Sequence, residues 1–318
     1  AVRRVIGLPL EEAVARLLPP DAGVGTGAYV MERFEPGVVW EGRRNPDYWK
    51  PDCANAESVT LTSIKDPTAR LAALQSGAVD IINRVDHRMA PRIDGRNGMT
   101  VQVCRGGSHV TMPMRMDSAL YADPRVREAL KLLVDREAIV RQVFNGYGRV
   151  GNDHPVAPSD PLHADLPQRE PDPDRARSLL RKAGVDEPLE IHASRVIPRG
   201  VELASMVQEQ GRAAGIDIRV RRHPEDGYWS DVWLNKPLCL SVWSPRPTAD
   251  MMFSVTYASD APWNESAWDN PPCDELLLRA RAEADPAVRK TLYGEMQSLV
   301  RDDGATVVPV FQDRLDAT

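Results

Sequence analysis

The segment from Trp243 to Trp268 carries the residue types best suited to binding chemistry. It holds three of the seven tryptophans in a stretch rich in proline and polar residues. Tryptophans in an irregular segment after a strand are costly to leave in water, and aromatic walls with a few polar groups line small-molecule pockets. The chemistry indicated is noncovalent binding of a small solute; packing of the indoles between elements is the alternative. The candidate ligand-binding residues here are Trp243, Arg246, Asp250, Trp263, Asn264 and Trp268.

A second candidate is the run Asn152, Asp153 and His154, followed by Pro155. These three side chains can all form hydrogen bonds, and the proline restricts the chain after them. They lie in a predicted loop over residues 146–173, and a loop of this length in a compact domain is more often functional than not. An ordinary surface turn is the alternative.

Catalytic and metal-binding constellations are not recognisable in the sequence. The six histidines show no metal spacing. Gly25-Thr26-Gly27 opens onto a predicted strand rather than a helix and lacks the third glycine of a dinucleotide loop. No serine occupies a nucleophile elbow. We therefore expect no enzyme activity, no catalytic residue, no metal site and no cofactor.

The four cysteines are far apart and form no Cys-x-x-Cys pair. Cys104 and Cys239 lie in apolar runs, which predicts buried free thiols. A disulfide is the alternative, so cysteine usage leaves the compartment open.

Composition limits the class of protein. With 318 residues, 42% hydrophobic and 27% charged, the chain is typical of a soluble globular protein, and two lobes are a fair expectation. A net charge of -6 and arginines scattered among carboxylates argue against nucleic acid as a partner. No apolar run is long enough to cross a bilayer, and the first residues show no secretory signal.

The first third of the chain predicts a mixture of helices and strands. Apolar spacing at residues 8–17 predicts a helix in the first twenty residues, and turn residues around Pro36-Gly37 predict a hairpin of strands at 29–34 and 38–41. A second strand pair is expected at 58–64. Asp66-Pro67 predicts the start of a helix that ends at Gly77, with a strand at 79–82 after it.

The rest of the chain predicts an α/β lobe. Strands are expected at residues 99–104 and 109–116, and Asp123-Pro124 begins a long helix whose apolar stripe extends to Val143. Predicted helices then alternate with strands. The helices span residues 173–183, 198–214, 226–234, 272–284 and 286–301, and the strands span 189–193, 216–222, 238–243 and 307–311.

Several motifs resemble those of one family. Gly25-Thr26-Gly27-Ala28-Tyr29 resembles a Gly-Thr-Gly-Pro-Tyr turn, and residues 44–49 match an Arg-Asn-Pro-x-Tyr-Trp element. Residues 69–80, 123–130 and 135–139 are similar to further signatures of the same family. These motifs lie in the right order, and the sequence is identified as similar to the dipeptide/oligopeptide (family 5) solute-binding proteins of ABC transporters.

This resemblance implies an α/β, two-lobed, periplasmic-binding-protein-like (type II) fold that closes around a ligand. It implies a partial first lobe at residues 1–112, a complete second lobe at 113–311, and a return toward the first lobe at 312–318. It also implies a monomer outside the cytoplasm, periplasmic or on the cell surface, whose partners are a small-molecule ligand and an ABC permease. A ligand sensor or chaperone-like binding protein on the same scaffold is the alternative function.

One position departs from the family. Peptide-binding members carry an aspartate a few residues after the tryptophan that ends the strand, where it pairs with the ligand's amino group. Counting from Trp243, this position is Arg246. A guanidinium prefers a carboxylate or phosphate, so the resemblance predicts a ligand with an anionic or polyhydroxylated group, such as an opine-like or sugar-linked compound. Two alternatives remain, in which Arg246 turns outward to Asp250, or Asp250 itself receives an amine.

Overall fold

A computed structural model describes residues 25–318. The chain divides into two compact units, Ala1–Ile82 and Asn83–Thr318, and each is described by itself. The helix predicted in the first twenty residues lies outside the described residues. The lobe boundary predicted after residue 112 stays a prediction.

The first unit contains one antiparallel sheet and one helix. Strands β1 (Tyr29–Glu35), β2 (Val39–Arg44) and β3 (Ser58–Thr62) pair in the order β1-β2-β3. The predicted hairpin is therefore confirmed. Helix α1 (Pro67–Gln75) is also confirmed, and the Asp66 carboxylate accepts a hydrogen bond from the Ala69 N–H at its start.

Two predictions for this unit were wrong. Instead of the strand pair predicted at 58–64, one strand, Ser58–Thr62, extends the first sheet. No strand forms at residues 79–82, because the N–H groups of Ala78 and Val79 donate to the Ala73 carbonyl at the end of α1 and are not available to a sheet.

The second unit is built on a mixed sheet. Antiparallel strands pair in the order β6-β10-β5-β9, and β7 pairs with β8 in parallel. Bridges between Met114 and Leu238, and between His192 and Cys239, link these two parts. Strands β4 and β11 form a separate antiparallel ribbon. The strands are β4 (Val101–Cys104), β5 (His109–Pro113), β6 (Gly148–Val150), β7 (Leu189–Ser194), β8 (Ile218–His223), β9 (Ser241–Trp243), β10 (Thr306–Gln312) and β11 (Arg314–Ala317).

Helices surround this sheet and create two main buried clusters, one around β5, β7 and α4, and a second between β9 and α8 to α10. The helices are α2 (Ala90–Ile93), α3 (Ala119–Ala122), α4 (Pro124–Leu133), α5 (Arg136–Ala138), α6 (Pro173–Ala183), α7 (Gly200–Ala214), α8 (Ala249–Thr256), α9 (Pro271–Ala282) and α10 (Pro286–Asp302), with π-helical turns at Ile139–Val143 and Tyr228–Val232. Among the described residues, no helix is both long and apolar enough to cross a membrane.

Sequence patterns missed two features of these helices. The helix predicted to continue to Val143 ends at Leu133, because the Asp135 side chain accepts from the Ala138 N–H and starts a new helix. Helix α8 begins in the same way, with Thr248 accepting from the Met251 N–H, inside a segment that the sequence suggested was irregular.

The cysteines are all free. Cys239 is buried as predicted, but Cys104 is exposed, so the expectation of a buried thiol there was wrong. Its strand β4 pairs only with β11, which leaves most of its side chains uncovered by other elements.

Candidate functional site

Four indoles of the second unit form a continuous surface, here called the tryptophan surface: Trp229, Trp233, Trp243 and Trp263. Neighbouring ring centroids are separated by 5.7 Å (Trp229 to Trp233), 6.3 Å (Trp233 to Trp263) and 5.8 Å (Trp243 to Trp263). Trp229 and Trp263 keep 41% and 42% of their surface exposed, whereas Trp243 is buried. Large exposed indoles form an open face that a ligand can cover.

Arg246 lies against this surface. Its guanidinium carbon is 5.4 Å from the Trp243 ring centroid and 5.7 Å from that of Trp263, which is cation–π geometry. Within residues 25–318, no hydrogen-bond acceptor or carboxylate pairs with this half-buried guanidinium. Its five N–H donors are therefore available to a carboxylate or phosphate.

The local sequence fixes the position of Arg246. Strand β9 ends at Trp243, and Pro245 and Pro247 flank the arginine. Each proline restricts the backbone around it, and a helix begins only after Thr248. The arginine is thus presented on a short extended segment directly after the strand.

Glu265 supports the surface from behind. Its Oε1 accepts from Trp233 Nε1 at 2.6 Å, and its Oε2 accepts from Trp243 Nε1 and from Thr111 Oγ1, both at 2.9 Å. The side chain is buried, and burial raises the pKa of this carboxyl, although hydrogen bonds from Ser241, Trp243, Trp233 and Thr111 oppose the rise. Glu265 therefore orients two indoles by their N–H groups.

Sequence reasoning did not assign Glu265, Trp229 or Trp233 to the site. Trp229 and Trp233 are four residues apart, the spacing that places two side chains on one helical face, and this was the available signal. For Glu265 the signal was an acidic residue between Trp263 and Trp268. Its donors come from β5, β9 and the turn Tyr228–Val232, and only the tertiary fold brings them together.

The other residues predicted in this segment serve as its support. Asp250 binds Arg281, with Oδ2 to Nε at 2.7 Å, and therefore does not pair with Arg246. Asn264 closes its loop by donating to the Trp268 carbonyl at 2.7 Å and accepting from the Trp268 N–H at 3.2 Å. Trp268 is buried, and its indole N–H donates to Asp303 Oδ2 at 2.8 Å.

Asp153 is at the centre of a buried ion network. Both its oxygens accept from Arg136 Nη2 at 2.7 Å, and one accepts from Arg169 Nε at 2.9 Å and the other from the Val308 N–H at 3.0 Å. Burial alone would raise the pKa of Asp153, but Arg136, Lys131 and Arg169 outweigh it, and the pKa is lowered. With its side chain 0% exposed, Asp153 holds the long loop to β10.

Asn152 and His154, its neighbours, differ in their bonding. Asn152 accepts from the Arg169 N–H at 3.0 Å and donates to the Pro167 carbonyl at 3.2 Å, so its amide is fully used. His154 is buried and neither of its ring nitrogens has a hydrogen-bond partner. Burial, reinforced by His163, lowers the pKa of His154 to about 3.

Both side chains line a cavity of about 490 Å³, here called the loop cavity. Its wall consists of Val150, Asn152, His154, Pro158, His163, Asp165, Leu166, Pro167, Gln168 and Phe311. None of these residues belongs to the tryptophan surface. The two segments predicted from the sequence therefore belong to two different places in the second unit.

Metal binding finds no support in the described part of the chain, where no three His, Cys, Asp or Glu side chains are grouped to hold an ion. On the tryptophan surface, the Arg246 guanidinium has no partner among the described residues and lies on an aromatic face. Glu265 holds two of the indoles in place from behind. This arrangement is suited to holding an anionic solute without covalent chemistry.

Comparison with known proteins identifies the family. Residues 10–265 match the description "Bacterial extracellular solute-binding proteins, family 5 Middle". The chain belongs to this family. The family predicted from the sequence motifs is thereby confirmed, as is a location outside the cytoplasm.

Curated relatives are named as binding proteins. The glutathione-binding protein GsiB of Escherichia coli K12 is 23% identical over 308 residues, which cover 92% of this chain and 60% of the relative. The chain thus spans about three fifths of the length of the curated relatives that it matches.

Solved structures confirm the predicted α/β, type II periplasmic-binding-protein fold. The periplasmic binding protein DppA from Helicobacter pylori, in complex with the peptide STSA, has a TM-score of 0.83 at 18% identity, covering 98% of this chain and 63% of that one. AgaA from A. tumefaciens R10, in complex with agropinic acid, has a TM-score of 0.81 at 19% identity, covering 98% and 65%.

Proposed function

We propose that this protein is the solute-binding component of an ABC importer and takes a small ligand with an anionic group. The observation that carries the proposal is the guanidinium of Arg246, which lies on two indoles without an internal partner. A carboxylate or phosphate would complete its hydrogen bonding, whereas an ammonium group would be repelled. Opine-like and sugar-linked acids fit this description.

The surface is also arranged for affinity. Trp263 provides a half-exposed apolar face beside the cation, and Glu265 holds the neighbouring indoles in one orientation. A preorganised aromatic face loses less side-chain entropy on binding than a mobile one. AgaA, whose structure contains agropinic acid, shows that an acid is among the ligands carried on this fold.

The same geometry supports a binding role. The Arg246 guanidinium and the indoles can hold a solute by hydrogen bonds and ring contacts. The protein binds its solute, shifts the population of its conformations, and delivers the solute as a monomer to a membrane permease. Nucleic acid has no role in this function.

The test compares variants purified in parallel from the native host. Native mass spectrometry of the wild-type protein should reveal a co-purifying small molecule that carries a carboxylate or phosphate. Arg246→Ala should reduce its occupancy about 10- to 100-fold, because a charged hydrogen-bonded contact contributes about 1.5–3 kcal/mol.

Arg212→Ala is the matched control, because Arg212 is exposed and pairs only with Glu209 on its own helix. This variant should retain the ligand. Equal occupancy in Arg246→Ala and wild type, or a bound molecule without an acidic group, would remove Arg246 from the site.

A further inference from the structure

The loop cavity has the size of a small-molecule site but no part in the function proposed above. Its volume of about 490 Å³ lies in the range of ligand pockets. It is built on the edge strand β6 and the long loop, and shares no residue with the tryptophan surface. A ligand here would therefore bind independently of Arg246.

The hydrogen-bonding groups on its wall are mainly acceptors. His163 Nδ1 lies 3.0 Å from the Val156 carbonyl, which can only accept, so Nδ1 donates and Nε2 is the ring nitrogen left to accept a hydrogen bond. Gln168 uses its amide nitrogen on the Gly151 carbonyl at 3.0 Å, which leaves its Oε1 as an acceptor. Asp165 adds a carboxylate that has no hydrogen-bond or ion-pair partner within residues 25–318.

His154 adds a second feature that indicates a ligand. It is 1% exposed, and neither ring nitrogen is hydrogen-bonded. A buried polar group without a partner is costly, and such groups in native proteins usually have an unseen partner. His154 lines the cavity beside His163, with ring centroids 5.4 Å apart. A ligand that fills the cavity can supply the missing bond.

The cations near the cavity are already neutralised or bonded. Arg169 binds Asp153 and Asp302, and Arg301 binds Asp302 and the Pro167 carbonyl. They offer little to an anion. The unpaired charge on the wall is the Asp165 carboxylate, so the cavity attracts positive charge.

From these observations we infer that the loop cavity is a second ligand site, which binds a small organic amine. The ammonium group would donate to the accepting ring nitrogen of His154, to His163 Nε2 and to the Asp165 carboxylate. Val150, Leu166 and Phe311 would cover its carbon skeleton. An organic cation fits better than a metal ion, since the described residues include no grouping of three ligands for a metal.

The experiment uses benzylamine as the probe and benzyl alcohol as its uncharged counterpart. Each compound is titrated into the purified protein. Binding is measured by calorimetry and by the ring-proton NMR signals of His154 and His163. Benzylamine should bind and shift both signals, and benzyl alcohol should bind about two- to five-fold more weakly because it lacks the ion pair with Asp165. Asp165→Asn should weaken benzylamine binding by a similar factor. Asp165 is exposed, so this variant is expected to fold.

Glu170→Gln removes the same charge from an exposed position outside the cavity wall and should leave benzylamine affinity unchanged. Arg246→Ala should also leave it unchanged, even where it abolishes binding of the acidic solute, so the two sites can fail separately. No binding of benzylamine, equal affinity for the alcohol, or equal effects of Asp165→Asn and Glu170→Gln would overturn the proposal. Loss of benzylamine binding in Arg246→Ala would also overturn it, because the amine would then occupy the tryptophan surface.

Discussion

Two buried carboxylates, Asp153 and Glu265, show how the second unit separates its scaffold from its binding surface. Their residues are 0% and 3% exposed. Asp153 faces two arginines, and its pKa is lowered, whereas the partners that hydrogen-bond Glu265 are neutral hydroxyl and indole groups, and its pKa is raised. Burial acts in the same direction on both, so the nearby cations account for the opposite outcomes.

The difference explains which charges are left for a ligand. In the Asp153 network the arginines bond to carboxylates and to backbone carbonyls, so they offer little to a solute. Behind the tryptophan surface the carboxylate is satisfied by neutral donors, and the arginine in front of the indoles has no internal partner. A charged residue without a partner is a better indicator of a binding site here than a cluster of polar residues.

The largest effect is expected from Asp153→Ala, which leaves Arg136 buried without its counter-ion. Breaking a buried pair by removing one partner costs about 3–5 kcal/mol. The variant should show that loss in urea denaturation of the purified protein. If the protein remains folded, its acidic solute should still bind at Arg246.

Asp302→Asn is the control for this comparison, since Asp302 is an exposed carboxylate that pairs with Arg169 and Arg301. It should cost no more than about 1 kcal/mol. Similar losses in the two variants would show that the network at Asp153 contributes no more than a surface ion pair.

Asp153 and Glu265 should make the stability of the protein depend on pH in opposite directions. The variant Glu265→Gln tests the contribution of Glu265. A raised pKa in the folded state means that the folded protein holds the proton more tightly. Wild type should therefore lose stability relative to Glu265→Gln as the pH rises above about 4.5, the unfolded value, through the folded pKa. The change is about 1.4 kcal/mol for each unit between the two pKa values.

Urea denaturation of both proteins at several pH values between 4 and 8 measures this difference. The Asp153 carboxyl should behave in the opposite way, since its stabilising contribution is lost as the pH falls below about 3.8 through its lowered pKa. A flat difference between wild type and Glu265→Gln would indicate that the carboxyl titrates normally in the folded protein.

Local signals in the sequence predicted much of this architecture. Asp66 and Asp123, each followed by proline, marked helix starts that the structure shows. The break at Asp135 was missed because the apolar stripe of α4 continues in register through the next helix, and only the side-chain cap reveals the boundary. Apolar periodicity indicates which face of a helix is buried, but it does not indicate the residue at which the helix ends.

The binding surface was predictable in part for a similar reason. Trp243 and Trp263 were predicted because tryptophans in such a segment are informative in themselves, and Arg246 because it stands where the family resemblance places an aspartate. Asp153 was taken for a candidate contact because three polar residues in a loop suggest exposure, and its burial depends on Arg136, from another element. Glu265 was missed because its donors are distant in the sequence. The type of a residue can be read from the sequence, whereas the partners that neutralise its charge are brought to it only by the tertiary fold.

The smallest effect concerns the two exposed indoles, of which one contacts Arg246 and the other does not. Trp263 lies under the guanidinium, and Trp229, equally exposed, contacts Tyr228 and Trp233 instead. Trp263→Ala should weaken binding of the acidic solute about two- to six-fold, because a cation–π contact at an accessible site contributes about 0.5–1 kcal/mol. Trp229→Ala should leave the affinity unchanged in calorimetry. Equal losses in both variants would indicate that the ligand covers the whole tryptophan surface and is not held at the arginine.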